Sequence, residues 1–199
     1  MERKCLMSAV LLLYCWTCSG QMGKPSVSSN DGTSGSISFG PPDLSDEETQ
    51  ANYMPTNLRC DACKAIASRF STTLQGVIDK YKSVKEGKKD LSEDRILELF
   101  ETICSDKDWS SYGIKEIDGV KHLAYPGSDY ADVPGIMQGG GPWPRRLSDM
   151  CYAYIEKHDE YKIYRMQKKE NSSGVYKMMC STVCKTKHSS PKKKQKNEL

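Results

Sequence analysis

The sequence predicts an all-α domain stapled by disulfide bonds, and two features of its pattern lead to that prediction. Apolar residues recur at the three-and-four spacing of buried helix faces along much of the chain. Near the start of this region, Cys60 and Cys63 stand one helical turn apart. Near its end, Cys180 and Cys184 do the same, so each pair can project from a single helix face.

The first residues, 1–20, have the order of a secretory signal peptide: a basic start, an apolar run and small residues up to Gly20. Cleavage after Gly20 would remove Cys5, Cys15 and Cys18 and leave six of the nine cysteines. An even set in an oxidising compartment favours disulfide bonds. No later stretch reaches the roughly 18 apolar residues of a spanning helix, so we expect no transmembrane segment.

Two flanking segments lie outside the predicted domain, which covers residues 45–185. Residues 21–44 are rich in Ser, Gly and Pro and predict a disordered linker. Residues 186–199 predict a basic tail. From Lys185 onward the chain holds six lysines and one glutamate, a charge of +5 (six minus one), whereas the whole chain carries +3. The body is therefore mildly acidic, and we predict no nucleic-acid partner.

The first half of the domain is predicted to contain three helices. Ser45 and Glu48 form a capping box that opens a short helix ending before Pro55. The longest apolar helix face follows at Leu58, Cys63, Ile66, Ala67, Phe70, Leu74, Val77, Ile78 and Tyr81. Asp90 with Glu93 is expected to cap a third helix. Its predicted core side chains are Ile96, Leu97, Phe100, Ile103 and Cys104.

The segment between Cys104 and Cys151 is less regular, and its apolar residues predict one short helix followed by a loop. It ends at Gly139–Pro144, where prolines on both sides of Trp143 predict a stiff elbow. Two interpretations of Trp143 stay open. It could plug the core and set the angle of the next helix, or it could contact client proteins, because aromatic residues are favoured in both places.

Two further helices are predicted near the end of the domain. Pro144 suits the first turn of a long helix that reaches Tyr161 with that side chain inward. The last helix is predicted over Val175–Cys184. Between them, Asn171 opens the sequon Asn-Ser-Ser, which predicts a glycosylated surface loop.

Six cysteines allow 15 pairings, and the sequence alone does not choose among them. If the first and last long helices run antiparallel, their cysteines face each other in mirrored order, and the two central cysteines are left for each other. The pairs would then be Cys60–Cys184, Cys63–Cys180 and Cys104–Cys151. In the chain-entropy model each such bridge stabilises the fold by roughly 4 to 5 kcal/mol.

The last four residues, Lys196, Asn197, Glu198 and Leu199, differ at one position from the retrieval tetrapeptide Lys-Asp-Glu-Leu. Such a signal is read by a retrieval receptor and anchors nothing. We therefore expect residence in the lumen of the endoplasmic reticulum, with partial secretion because Asn197 departs from the usual aspartate.

Several motifs of this chain form a recognisable series: Asp46-Glu47-Glu48, Met54-Pro55, Leu58-Arg59-Cys60-Asp61-Ala62-Cys63, Trp109 with Tyr112-Gly113, Gly140-Gly141-Pro142-Trp143-Pro144, Arg146-Leu147-Ser148 and Cys151. They resemble the canopy family of saposin-like co-chaperones, from about Asp46 to Cys184. The resemblance implies a saposin-like fold and a lumenal helper for the folding, assembly and secretion of immunoglobulin heavy and light chains, beside the chaperones endoplasmin and heavy-chain binding protein. It also implies a thiol oxidoreductase role for Cys60 and Cys63 and an influence on calcium stores.

A C-x-x-C pair at a helix start is where a thiol pKa is lowered, as thiol-disulfide exchange requires. Here the pair lacks the aromatic-cysteine-glycine-proline setting of thioredoxin-like enzymes, and four other cysteines can bridge to it. We therefore predict structural bridges, no enzyme activity and no cofactor, with oxidoreductase as the alternative. His122, His158 and His188 lack ligand spacing to the cysteines, so no metal site is predicted.

Two other classes of function remain as alternatives. Saposin-like domains often cover acyl chains, which makes a lipid-binding module one of them. The 46 residues between Cys104 and Cys151 exceed what a compact saposin hairpin needs. A secreted factor that is held to acidic polysaccharide by its basic tail is the other, and the retrieval-like terminus disfavours it.

Overall fold

The computed structural model describes residues 40–84 and 90–185. The predicted signal peptide, most of the predicted linker, the basic tail and the retrieval tetrapeptide lie outside these residues. The helices are α1 (Asp46–Gln50), α2 (Arg59–Val84), α3 (Glu93–Ile103), α4 (Trp143–His158) and α5 (Glu160–Cys180). The strands are β1 (Gly113–Ile117), β2 (Val120–Ala124) and β3 (Gln138–Gly139), and short 3-10 turns cover Thr56–Leu58, Asp106–Trp109 and Val183–Lys185.

The centre of the domain is the antiparallel pair α2 and α5, which pack along each other. Cys63 near the start of α2 is bonded to Cys180 at the end of α5. Farther along α2, Gln75 accepts a hydrogen bond from Gln167 Nε2 at 3.0 Å. The predicted mostly helical, disulfide-stapled fold is confirmed. The predicted apolar face of α2 is largely buried, and Phe70 on that face meets Phe100 of α3 edge-on at 5.0 Å.

A small sheet replaces the short helix that was predicted after Cys104, and this part of the prediction was wrong. β1 pairs antiparallel with both β2 and β3, in the order β2-β1-β3, with Ile114 opposite Leu123. The hairpin turn is Asp118-Gly119, and both residues have positive φ, 51° and 75°. Such Asp-Gly turns match the twist of two antiparallel strands, so this dipeptide was the signal that could have predicted the hairpin.

The C-terminal helices also differ from the prediction. Asp159 has φ 68°, which ends α4 before Tyr161, and its side chain caps α5 by accepting from Lys162 N at 3.1 Å. Tyr161 is consequently exposed rather than inward. The predicted loop at Asn171 is instead a kink inside α5, where this residue has φ 55° and ψ −155°. Asn171 is nevertheless exposed, as the sequon predicts.

The structure contains one of the two predicted helix caps. The Ser45–Glu48 capping box is present, since each residue's side chain bonds the other's backbone N–H. Asp90 does not cap α3, because its carboxylate pairs with Lys168 on α5. Leu97 faces solvent rather than the core. Ordered packing also begins before residue 45, because Pro42 is buried.

We predict that Gly113→Ala destabilises the fold, because the new Cβ would lie 2.7 Å from the carbonyl oxygen of Gln138 and 2.8 Å from Met137 Cγ. Such overpacking costs about 1–3 kcal/mol. The matched control is Gly76→Ala, where a Cβ meets nothing within 4 Å in the middle of α2 and should stabilise by up to about 1 kcal/mol. Denaturant unfolding of the oxidised proteins measures both, and equal free energies of unfolding would contradict the close approach of β3.

Candidate functional site

The site that the sequence singles out is a pair of disulfides, Cys60–Cys184 and Cys63–Cys180, which we call the clasp. Their Cα–Cα distances are 4.8 Å and 5.7 Å, within the range that a bridge needs. The third disulfide joins Cys104 after α3 to Cys151 on α4, with Cα atoms 5.6 Å apart. These three pairs are those that the antiparallel arrangement of the first and last helices predicts.

The two cysteines of the C-x-x-C motif are thus bonded to different partners and not to each other. Cys63 and Cys180 have no exposed surface, whereas Cys60 and Cys184 are half-buried. All six cysteines among the described residues are in disulfides, so this oxidised form presents no thiolate there for nucleophilic attack. An external thiol could reach only the Cys60–Cys184 bond.

Asp61, between the two cysteines of the motif, ties the clasp to the sheet. Its carboxylate is 9% exposed and accepts a hydrogen bond from Leu123 N at 3.3 Å. It also lies 3.1 Å from His122 Nδ1. The His122 ring in turn stacks on Tyr130 with centroids 3.9 Å apart. The motif residue therefore holds β2 and the following loop against the start of α2.

Glu48 is a second buried acid, and it joins α1 to the hairpin. Its carboxylate pairs with Lys121 of β2, accepts from Ser45 N at 2.9 Å and accepts from Asn57 Nδ2 at 3.1 Å. Burial by itself raises the pKa of Glu48, but the hydrogen bonds from Lys121, Ser45 and Asn57 outweigh it and hold the pKa below the usual 4.5. Glu48 therefore stays ionised in the folded protein at neutral pH.

Arg146 on α4 satisfies the carbonyl groups at the end of α1. The side chain is 1% exposed, and it donates from Nε to Ala51 O at 2.8 Å and from Nη1 to Glu48 O at 2.7 Å. Its guanidinium lies over the ring of Trp143, 4.5 Å from the centroid. Burial lowers the pKa of Arg146, while Glu47 and Glu48 oppose that shift. This side chain anchors the N-terminal segment to the helical core.

The structure decides between the two interpretations of Trp143. It is 1% exposed and packed beneath Arg146, so it is a core residue. The prediction that its side chain contacts clients was wrong, because the elbow turns the indole inward as α4 begins. Pro144 sits in the first turn of α4, as predicted.

The chain has relatives among known proteins. No protein-family model matches it. It is 39% identical over 132 residues to the Marginal zone B- and B1-cell-specific protein of Rattus norvegicus, which covers 65% of this chain and 70% of the rat protein. It is 35% identical over 158 residues to the Homo sapiens protein of that name, which covers 78% of each chain. The Mus musculus protein is 34% identical over 148 residues, 73% of this chain and 78% of the mouse protein.

The chain belongs to the family of marginal zone B- and B1-cell-specific proteins. The mostly helical, disulfide-stapled fold is consistent with the saposin-like domain that the motif resemblance implies. In this member of the marginal zone B- and B1-cell-specific family, the cysteines of the motif Arg59–Cys63 form the clasp disulfides. Asp61 of the same motif accepts a hydrogen bond from β2.

Within residues 40–84 and 90–185, no three His, Cys, Asp or Glu residues are grouped as a metal site would need, and no helix is long and apolar enough to cross a membrane. Desolvation lowers the pKa of His158, whose Nε2 is buried. Two clefts measure about 760 Å³ and 400 Å³; Arg165 and Met166 line the first, and Arg59 and Met150 line the second.

Sequence reasoning missed most of the buried charges. Besides Arg146, it missed Lys115, whose ammonium donates to the carbonyls of Tyr130, Ala131 and Val133 at 2.8–3.1 Å and fixes the loop after β2. In the sequence, Lys115 lies between Ile114 and Glu116, so it looks like a residue on the solvent face of a strand. Only the loop that folds over it makes it buried.

We predict that Arg146→Lys destabilises the protein by about 2–3 kcal/mol, because a lysine cannot reproduce the fork that bonds Ala51 O and Glu48 O. Arg145→Lys is the matched control, since the Arg145 side chain is 72% exposed and pairs with Asp149 on the surface. It should change the free energy of unfolding by less than about 0.5 kcal/mol. Equal losses for the two variants, measured by denaturant unfolding, would contradict the anchoring role of Arg146.

Glu48 should make stability depend on pH. Because its folded pKa lies below its unfolded value of about 4.5, its contribution is fully present above pH 4.5 and is lost as the pH falls through the lowered folded value. We expect Glu48→Gln to destabilise the protein at pH 7 and to lose less stability than the wild type between pH 5 and pH 3. Thermal unfolding across that range tests this, and a constant difference between the two proteins would contradict it.

Proposed function

We propose that this chain is a co-chaperone of the endoplasmic reticulum lumen that assists the folding, assembly and secretion of immunoglobulin heavy and light chains or other secretory clients. Endoplasmin and heavy-chain binding protein would be its chaperone partners, and the retrieval receptor would return it from later compartments. An influence on calcium stores belongs to the same proposal. The chain would act by binding clients, not by turning over disulfides.

One observation carries the choice of binding over redox turnover. Cys60 and Cys63 each bridge to the end of the last helix, and the Cys63–Cys180 bond has no exposed surface. A cycling C-x-x-C pair needs an accessible cysteine of lowered pKa and a partner within the motif. The two disulfides of the clasp instead join cysteines that are 124 and 117 positions apart in the sequence, which favours a structural role.

The proposed client class is supported by the name of the relatives and by features that suit an oxidising compartment. The relatives are named for marginal zone B and B1 cells, and B cells give rise to the cells that secrete immunoglobulin. Three disulfides in one domain suit an oxidising lumen. The sequence adds a signal-like start and a retrieval-like end.

Because Trp143 is buried, the client surface has to be sought among exposed apolar side chains. Eight large ones are exposed on the described surface: Tyr53, Leu97, Val120, Ile136, Met137, Tyr152, Tyr161 and Tyr176. Four of the eight are tyrosines, and tyrosine is enriched at protein interfaces because it combines apolar area with a polar tip. These side chains are the candidates for client contact.

The test compares two variants that each remove one disulfide as a pair, Cys60→Ser with Cys184→Ser and Cys104→Ser with Cys151→Ser. We expect both to lose stability, since each opens a long loop, and both to capture co-expressed heavy and light chains in proportion to the folded protein that remains. Purified wild type should reduce insulin no faster than the solvent control. Capture is measured by co-precipitation and folding by circular dichroism.

The oxidoreductase alternative makes a different forecast for the same proteins. The Cys60/Cys184 variant would stay folded and bind clients, yet heavy and light chains would oxidise more slowly beside it. The Cys104/Cys151 variant would oxidise them at the normal rate. That pattern would overturn the binding proposal in favour of thiol-disulfide exchange.

A further inference from the structure

A polar cleft of about 500 Å³ lies between α2 and α5, on the side where α5 is kinked. Its side chains are uncharged and able to form hydrogen bonds, namely Ser71, Thr72, Gln75, Gln167, Asn171 and Ser172. Sites for small molecules have volumes of about 300–1,000 Å³, so the cleft is large enough for a single sugar ring. Its neutral lining suits a neutral ligand with hydroxyl and amide groups better than an ion.

Two groups that line this cleft are buried without hydrogen-bond partners among the described residues. Ser71 is 5% exposed and Gln167 is 2% exposed. The amide nitrogen of Gln167 donates to Gln75 Oε1 at 3.0 Å, but Gln167 Oε1 and Ser71 Oγ bond to nothing in the described part of the chain. Buried polar atoms are nearly always paired in native proteins, so these two atoms indicate a ligand for the cleft.

The kink brings the glycosylation sequon to the rim of the same cleft. Asn171 has φ 55° and ψ −155°, a conformation that is almost confined to glycine and that occurs in other residues mainly at functional sites. Its side chain is exposed and lines the cleft with that of Ser172. The kink also packs Gly174 so tightly that a Cβ there would lie 2.5 Å from Glu170 Cβ. The bend is therefore built into the packing of α5.

We propose that Asn171 carries an N-linked glycan and that the first N-acetylglucosamine occupies the polar cleft. Gln167 Oε1 and Ser71 Oγ have almost no exposed surface, so their side chains would turn toward the cleft to bond the sugar hydroxyls or the acetamide N–H. The glycan comes from a lipid-linked oligosaccharide diphosphate: a bond forms between Asn171 Nδ2 and the anomeric carbon, the carbon–oxygen bond to the diphosphate breaks, and the nitrogen loses one proton. This inference rests on entry into the secretory pathway, which is part of the proposed function.

Occupancy is tested first, with a control that separates this inference from the proposed location. Wild-type protein expressed in secretory cells should shift on a gel after amide-specific glycosidase treatment, and Ser173→Ala should abolish the shift. A reporter sequon at the hairpin turn, Asp118→Asn with Val120→Thr, is added to Ser173→Ala. If the reporter is glycosylated and Asn171 in the wild type is not, this inference fails and the location stands. If neither is glycosylated, the secretory location itself fails.

The position of the sugar is tested by combining the glycan with a change in the cleft. An endoglycosidase trims the wild-type glycan to one N-acetylglucosamine, and its melting temperature is compared with that of unglycosylated Ser173→Ala. We expect the trimmed protein to melt about 2–4 °C higher. Adding Ser71→Ala to both proteins should remove at least half of that difference. It should lower the melting temperature of the trimmed protein and leave that of the unglycosylated protein unchanged or higher.

The reporter glycan at residue 118 provides the matched control, because it lies on the hairpin and not at the cleft. Ser71→Ala should leave any effect of the trimmed reporter sugar on the melting temperature unchanged. An equal effect of Ser71→Ala on the trimmed wild type and on Ser173→Ala would overturn the proposal, since the sugar would then lie outside the cleft.

Discussion

The antiparallel packing of α2 against α5 is the contact on which the rest of this fold depends, and the clasp fixes its register. Cys60–Cys184 and Cys63–Cys180 join the start of α2 to the end of α5 and to the turn that follows it. The two helices therefore cannot slide past each other. α3 and α4 pack on α5, and β2 packs on α2. The disulfide Cys104–Cys151 joins the end of α3 to α4.

Buried charges attach the irregular segments to this helical frame. Arg146 donates hydrogen bonds to carbonyl groups at the end of α1, and Lys115 donates to carbonyl groups of the loop after β2. Asp61 accepts a hydrogen bond from the hairpin. A buried charge is costly unless it is fully hydrogen-bonded, so each of these contacts has one favoured arrangement. They give segments with few apolar residues a defined position.

The same clasp limits the chemistry available to the protein. In a redox enzyme the C-x-x-C cysteines alternate between a bond with each other and free thiols, whereas here each stabilises a different long loop. In the proposed binding role, reduction of the clasp would lower the stability of the fold. The kink of α5 at Asn171 is a different kind of feature, because it holds a residue other than glycine at φ 55° and ψ −155°.

The sequence by itself determined most of the apolar face of α2, the capping box at Ser45 and the placement of Cys60 and Cys63 on one helix face, because these follow from spacing along one helix. It did not determine the sheet, since strands of five residues carry too little periodic signal to be identified. Only the tertiary structure decided that Trp143, Arg146 and Lys115 are buried and that Asn171 bends a helix. The physical reason is that spacing specifies which side of an element is apolar, whereas burial of a charge or a kink depends on partners that are distant in the chain.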